Sequence, residues 1–211
     1  MGRAVPPEDV NGAGRAGPEG DWPGRELLSG SSPREVLMRL CDGDPLEIGA
    51  RVEEHLRESA VLVDGRRAVS RAAARIAHAA MRYRGSPELG AFLQRSIAQG
   101  VEELVEEEGE DELALIPVDD DPGAHHLFLW KLLGIEPQLA RRACIAFNRQ
   151  PLEVRRAFLS VAGDGVSIHD HAARSGSTEG RVRELLSTAL RSMGAAVGRK
   201  DLSVEGWNDH G

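Results

Sequence analysis

Apolar side chains recur at steps of three and four along successive stretches of this chain, a period that fits helices and not strands. Ile48, Val52 and Leu56 are spaced by four, with Glu53, Glu54 and Arg57 between them. Val69, Ala73, Ile76, Ala80 and Tyr83 alternate steps of four and three, which predicts one helix face. After the breaker Gly85-Ser86-Pro87, a third stripe runs Leu89, Leu93, Ile97, Val101 and Leu104, with Phe92 beside it. Pro87 suits a first helical turn, where its missing N–H is not needed. Aromatics make up only 4% of the 211 residues, so the core must be aliphatic, and Ala with Leu favours packed helices over a sheet sandwich. The expected class is all-α.

The flanks of this first bundle read differently. Residues 1–33 hold seven Gly and five Pro and bury too little apolar surface to offset the entropy of ordering, so a disordered tail is expected, with Trp22 exposed in it. Residues 102–121 hold eleven acids and no base. Their second half has no helical period and contains Pro117, which predicts an extended, solvated linker; a short strand over 113–118 would lack a partner. The expected organisation is a tail over 1–33, a helical bundle over 34–108, an acidic linker over 109–137, a second helical domain over 138–197 and a tail over 198–211.

Whole-chain charge conceals a polarised distribution. The formal net charge is −8, which argues against indiscriminate nucleic-acid binding. Residues 138–200, however, carry eleven basic and five acidic side chains, a local balance of +6. Ahead of that stretch, Leu127, Trp130 and Leu133 belong to a short apolar helix ended by Gly134, with Trp130 packing rather than binding. Within it, Ser167-Ile168-His169-Asp170 reads as an N-cap with an acid three places on. The Ala172-Ala173 pair then allows close approach by another helix, and Gly176 can take the left-handed conformation that reverses the chain. Ser177 is expected to cap a longer helix, striped by Val182, Leu185, Leu186, Ala189, Leu190 and Met193.

A short helix, a Gly turn and a capped helix with a basic outer face is a helix-turn-helix pattern, which offers the first turns of its second helix to the DNA major groove. The outward candidates are Ser177, Thr178, Glu179, Arg181, Arg183, Glu184, Ser187 and Thr188. Arg can pair bidentately with guanine, Glu can accept from cytosine, and hydroxyls serve either base or phosphate. Arg155, Arg156 and Arg191 are expected on phosphates, which set affinity and its salt dependence rather than sequence choice. Tandem amphipathic helices with a Gly turn also occur in bundles that never touch DNA, so periodicity and charge leave both readings open.

A family resemblance weights the first. Residues 165–168, the Ala172-Ala173 pair, the run Gly176-Ser177-Thr178-Glu179-Gly180-Arg181-Val182-Arg183 and Leu190 resemble the promoter-reading fourth region of bacterial sigma factors. The preceding segment 150–159 is similar to the opening of that region. Tyr83-Arg84-Gly85 followed by residues 89–97 resembles the core of the second region, and Gly43-Asp44-Pro45 leading into 52–56 its opening helix. Their order suggests the small two-domain, extracytoplasmic-function class, over roughly 36–195. The resemblance implies an all-helical transcription initiation protein that binds promoter DNA and recruits core RNA polymerase, with an anti-sigma protein as a further partner and no catalysis of its own. Two departures stand out. Where the family carries acids and a glutamine that grip polymerase, this chain has Arg66, Arg67, Ser70 and Arg71; where it closes the second region with bases, this chain has Glu102, Glu103, Glu106, Glu107 and Glu108. Like charges there should weaken a polymerase contact and repel a phosphate backbone. The rival expectations are a helix-turn-helix regulator that does not direct polymerase, and an interaction module whose acidic first half binds a basic protein.

Other chemistry has little support in the sequence. His125-His126 and His169-Asp170-His171 lack the spacing of four that puts two imidazoles on one helix face, and no Cys or third ligand adjoins, so capping or surface histidines and no metal are expected. No nucleophile constellation, phosphate-cradling loop or dinucleotide fingerprint is present, so neither an enzyme nor a cofactor is expected. Cys41 and Cys144 lie far apart and read as buried and reduced. Nothing reads as a signal peptide and no apolar run approaches the roughly 20 residues of a membrane span, so a cytoplasmic setting is expected.

Overall fold

Ser32 and Asp64 show how local chemistry sets the helix starts. The Ser32 hydroxyl accepts from the Glu35 N–H at 3.3 Å, with Pro33 in the first turn, and Asp64 Oδ1 accepts from the Arg67 N–H at 2.8 Å. In this computed structural model residues 24–30, 32–110, 115–116 and 122–204 are described. The helices in chain order are α1 (Arg25–Leu28), α2 (Pro33–Cys41), α3 (Ile48–Ser59), α4 (Gly65–Ala80), α5 (Leu89–Gly109), α6 (Ala124–Leu133), α7 (Ala140–Asn148), α8 (Leu152–Phe158), α9 (Ile168–Ser175) and α10 (Glu179–Ala196). A 3-10 turn, Pro137–Leu139, leads into α7 and a π turn, Leu159–Gly163, ends α8. The fold is all-α, with no strand among the described residues. None of these helices is long and apolar enough to cross a membrane.

Two apolar clusters hold the helices together. The first joins Val36 and Leu40 of α2, Ile48 and Val52 of α3, Ala68, Ala72 and Ile76 of α4, and Leu93, Ile97, Val101 and Leu104 of α5. Alanines on α4 let it lie close to α5: a Cβ on Gly100 would stand 3.2 Å from the Ala72 Cα and N. The second cluster gathers Leu129 and Leu133 of α6, Cys144 and Phe147 of α7, Val154 and Phe158 of α8, and the α10 stripe.

Several boundaries differ from the sequence reading. Leu28, inside the segment read as a disordered tail, is 2% exposed and belongs to the first cluster; residues 1–23, Trp22 among them, lie outside the described residues. The short apolar helix expected at Leu127, Trp130 and Leu133 is α6, ended by Gly134; although it falls within 109–137, its Leu129 and Leu133 are part of the second core, as is the buried Ile116, whose N–H donates to the Gln138 carbonyl at 3.1 Å. The far tail contributes Leu202 and Val204 to the same core. Pro87 precedes α5 rather than starting it. Tyr83 lies beyond α4, where it stacks on Phe92 at 4.2 Å and donates its hydroxyl proton to the Pro87 carbonyl at 2.6 Å. Cys41 is exposed, not buried; Cys144 is buried, and both are free thiols.

Part of the acidic run is paired. Glu102 to Glu108 continue α5 to the end of the stretch read as the first bundle, and several of them face the cations of α4. Arg75 pairs with Glu103 at 2.8 Å, Arg71 pairs with Glu107, and Arg67 reaches Glu107 at 3.2 Å and Glu108 at 3.1 Å. Glu108 is buried, which raises its carboxyl above the usual range, although Arg67 and Arg141 pull the other way. So two anomalies, arginines on α4 and glutamates on α5, are one feature: each neutralises the other across a helix pair.

The two halves also meet. Asn148 accepts from the Leu62 N–H at 2.8 Å and donates to the Leu62 carbonyl at 2.7 Å, while the Cys144 thiol donates to that carbonyl at 2.9 Å. Arg149 donates to the Gly109 carbonyl at 3.0 Å. The charged run therefore does not hold the halves apart.

Candidate nucleic-acid interface

α9 begins as its sequence demands, the Ser167 hydroxyl accepting from the Asp170 N–H at 3.0 Å. It ends at Gly176, whose φ of 65° lies in the left-handed region. The Ser177 N–H donates to the Ala172 carbonyl at 2.9 Å and closes the turn, so Ser177 belongs to the turn and is not the cap. The cap of α10 is Thr178, whose hydroxyl accepts from the Arg181 N–H at 3.2 Å. Of the alanine pair, Ala172 is buried and Ala173 is exposed, so only the first packs.

α10 divides cleanly into two faces. Val182, Leu185, Leu186, Ala189, Leu190 and Met193 are all buried, as the stripe requires. On the other side Thr178, Arg181, Arg183, Glu184 and Arg191 are exposed, and Glu179, Ser187 and Thr188 are half-buried. Seven of the candidates, Thr178, Glu179, Arg181, Arg183, Glu184, Ser187 and Thr188, thus lie at the cap and along the first turns of one helix.

The cations of this face are not idle. Arg181 pairs with Glu153 of α8 and, at 3.4 Å, with Glu184; Arg183 pairs with Glu179 at 3.1 Å. Glu179 also contacts His169 Nδ1 at 3.1 Å, and hydrogen bonds from His169 and Arg183 hold its carboxyl below the usual range. Arg191 donates to the Ser187 carbonyl at 3.3 Å. Such exposed pairs are weak and screened by solvent, so exchanging one for a phosphate or a base edge costs little.

The α8 candidates are placed otherwise. Arg156 donates through Nε at 3.1 Å and Nη2 at 2.7 Å to the Glu58 carbonyl at the end of α3. That use, a cation on the negative end of a helix, was invisible in the sequence because its acceptor lies 98 positions away. Arg155 is half-buried, its Nε is buried without a partner, and burial followed by the neighbouring Arg156 holds its guanidinium below the usual range. The phosphate-binding role expected for this pair falls on side chains turned to structural positions.

Sequence reasoning also missed a cluster away from this face. Cys144, eighteen positions beyond His126, is brought against His125 and His126, with ligand atoms of all three within 4.8 Å of one another. The expectation that no third ligand adjoins those histidines is corrected by the packing of α6 on α7.

Fold and site together describe an all-helical chain with a short helix, a left-handed glycine turn and a longer helix bearing an outward polar face. No protein-family model, no curated protein and no solved structure matches it.

Proposed function

We propose that this chain is a sigma-factor-like transcription initiation protein that binds promoter DNA through α9 and α10 and recruits core RNA polymerase. One observation carries the reading: the polar and basic first turns of α10 stand outward behind the Gly176 turn, while the apolar face of the same helix is buried in the second core. A helix held this way can enter a major groove without exposing its core. Arg181 and Arg183 would read guanine, Glu179 and Glu184 cytosine, and Thr178, Ser177, Ser187 and Thr188 would contact bases or backbone. Arg191 at the rim would contact phosphate.

A second reading, a DNA-binding regulator that does not direct polymerase, draws support from α4. Arg67 and Arg71 occupy places where the resemblance calls for acids, and both are engaged by Glu107. The two readings share the DNA face and differ only in the polymerase contact.

The shared step is tested by selecting DNA sequences with the full-length protein and measuring affinity at two salt concentrations. Affinity falls as salt rises, in proportion to the phosphates neutralised. The double variant Arg181→Ala, Arg183→Ala loses discrimination at the bases it read, about 1–3 kcal/mol per bidentate contact. Unchanged affinity and sequence preference in that variant would overturn both readings and favour an interaction module.

A further inference from the structure

His125 and His126 open α6, and Cys144 lies at the middle of α7. Consecutive histidines do not share a helix face, yet these two rings lie 3.8 Å apart between centroids, tilted by 39°. One ligand atom from each histidine and from the Cys144 sulfur falls within 4.8 Å of the others. His125 is 9% exposed, and neither of its ring nitrogens has a hydrogen-bond partner. A neutral imidazole carries one donor and one acceptor, and an interior that satisfies neither is unusual. The backbone beside it is cut to fit: a Cβ on Gly123 would stand 2.8 Å from His125 Cε1 and 2.9 Å from Nδ1. The Asp64 carboxylate lies next to that same glycine, 3.2 Å from the Cβ position, and acts electrostatically on both imidazoles.

We propose that His125, His126 and Cys144 form a binding site for zinc or a similar borderline-soft divalent cation, with Asp64 or a water in the fourth position. Two imidazoles and a thiol are the donor set that zinc prefers, and one that magnesium and calcium avoid. Ligands about 2.0–2.3 Å from a shared tetrahedral ion lie about 3.5 Å from each other, so closure from the present spacing needs side-chain rotations of about 1 Å. A neutral imidazole keeps a lone pair on one ring nitrogen, which is what a metal binds. Cys144 exchanges its proton for the metal: the S–H bond breaks, the S–metal bond forms, and the proton leaves to solvent. The Leu62 carbonyl then loses the thiol donor but keeps Asn148 Nδ2 at 2.7 Å, so the contact between the halves is not orphaned. With Asp64 as fourth ligand the ion's two charges are balanced by thiolate and carboxylate. It would then tie the start of α4 to α6 and α7.

Titration of the full chain with cobalt(II), which takes zinc sites and absorbs visibly, tests this. The expected result is one equivalent bound, with tetrahedral bands and a thiolate-to-cobalt charge-transfer band, all displaced by zinc. The charge-transfer band is lost in Cys144→Ser and kept in Cys41→Ser, which removes the exposed thiol. His125→Ala and His126→Ala each weaken cobalt binding, and zinc raises the Tm of the parent chain until a chelator is added. Absence of a charge-transfer band in the parent chain would overturn the proposal whether or not the variants fold. Its persistence in Cys144→Ser, or its loss in Cys41→Ser, would do the same.

Discussion

Lowering the pH from 7 to about 4.5, with a chelator present, is expected to destabilise this protein by several kcal/mol. Burial, more than any neighbouring charge, lowers His125 and His126 from 6.5 to about 4. The unfolded chain therefore takes up protons at both imidazoles below about 6.5 that the folded chain refuses until about 4, and stability present above that window drains away as the pH falls through it. The buried His125 accounts for about 3 kcal/mol at most and His126, more open to solvent screening, for less; both are ceilings because the two rings touch and titrate together. Against a typical stability of about 5–15 kcal/mol this is a large share. Other groups facing the pair modify the size and not the sign. Asp64 favours the charged imidazoles, Arg67 and Arg141 disfavour them, and Glu108 is protonated more readily when folded, which returns part of the loss. Urea midpoints at pH 7, 5.5 and 4.5 measure the slope. Replacing both histidines by glutamine should flatten it; an equal slope in that variant would show that other groups carry the acid sensitivity.

The second large effect concerns the contact between the halves. Asn148 satisfies both the N–H and the carbonyl of Leu62, and the Cys144 thiol can replace it only at the carbonyl. In Asn148→Ala the part-buried Leu62 N–H loses its partner, which costs about 1–3 kcal/mol, and a further hydrogen bond worth about 1 kcal/mol goes with it. We expect a fall of about 2–4 kcal/mol in unfolding free energy, together with faster proteolysis between α3 and α4. Asn148→Asp keeps the acceptor for the Leu62 N–H but sets a carboxylate oxygen against the Leu62 carbonyl, acceptor against acceptor, so it should not rescue the loss. A change below 0.5 kcal/mol in Asn148→Ala would mean that Leu62 finds water instead, about the value of an ordinary surface substitution.

Local signals in the sequence were reliable where local physics decides. The steps of three and four placed α3, α4, α5 and α10, and Ser167 and Gly176 marked both ends of α9 because capping and left-handed backbone are decided within a few residues. The α10 stripe was legible to the residue. Errors of one position arose where two hydroxyls compete, as with Ser177 and the true cap Thr178. What could not be read was everything whose partner lies far along the chain. The pairing of the α5 glutamates could not be read because Arg67, Arg71 and Arg75, which hold them, lie about 30 to 40 positions earlier. Arg155 and Arg156 read as phosphate ligands because neither burial nor the Glu58 carbonyl is a property of their own segment. Cys144 could not be joined to the histidine pair without knowing that α6 packs on α7.

Those pairings also bear on polymerase. Charges on α4 that would oppose a cationic partner are cancelled in part by α5, whose Glu102 and Glu106 remain exposed beside them. If the chain recruits polymerase as proposed, Glu102 and Glu106 are the exposed acids this helix pair would offer it.

Transcription with purified core RNA polymerase tests that most directly, using a template that carries DNA selected by the full-length protein. If the protein initiates transcription, adding it to core polymerase yields a transcript with one defined start downstream of the selected site, and the Arg181→Ala, Arg183→Ala variant yields none. Occupancy of the same DNA with transcripts no different from those of core polymerase alone would contradict the proposal and leave a regulator in its place.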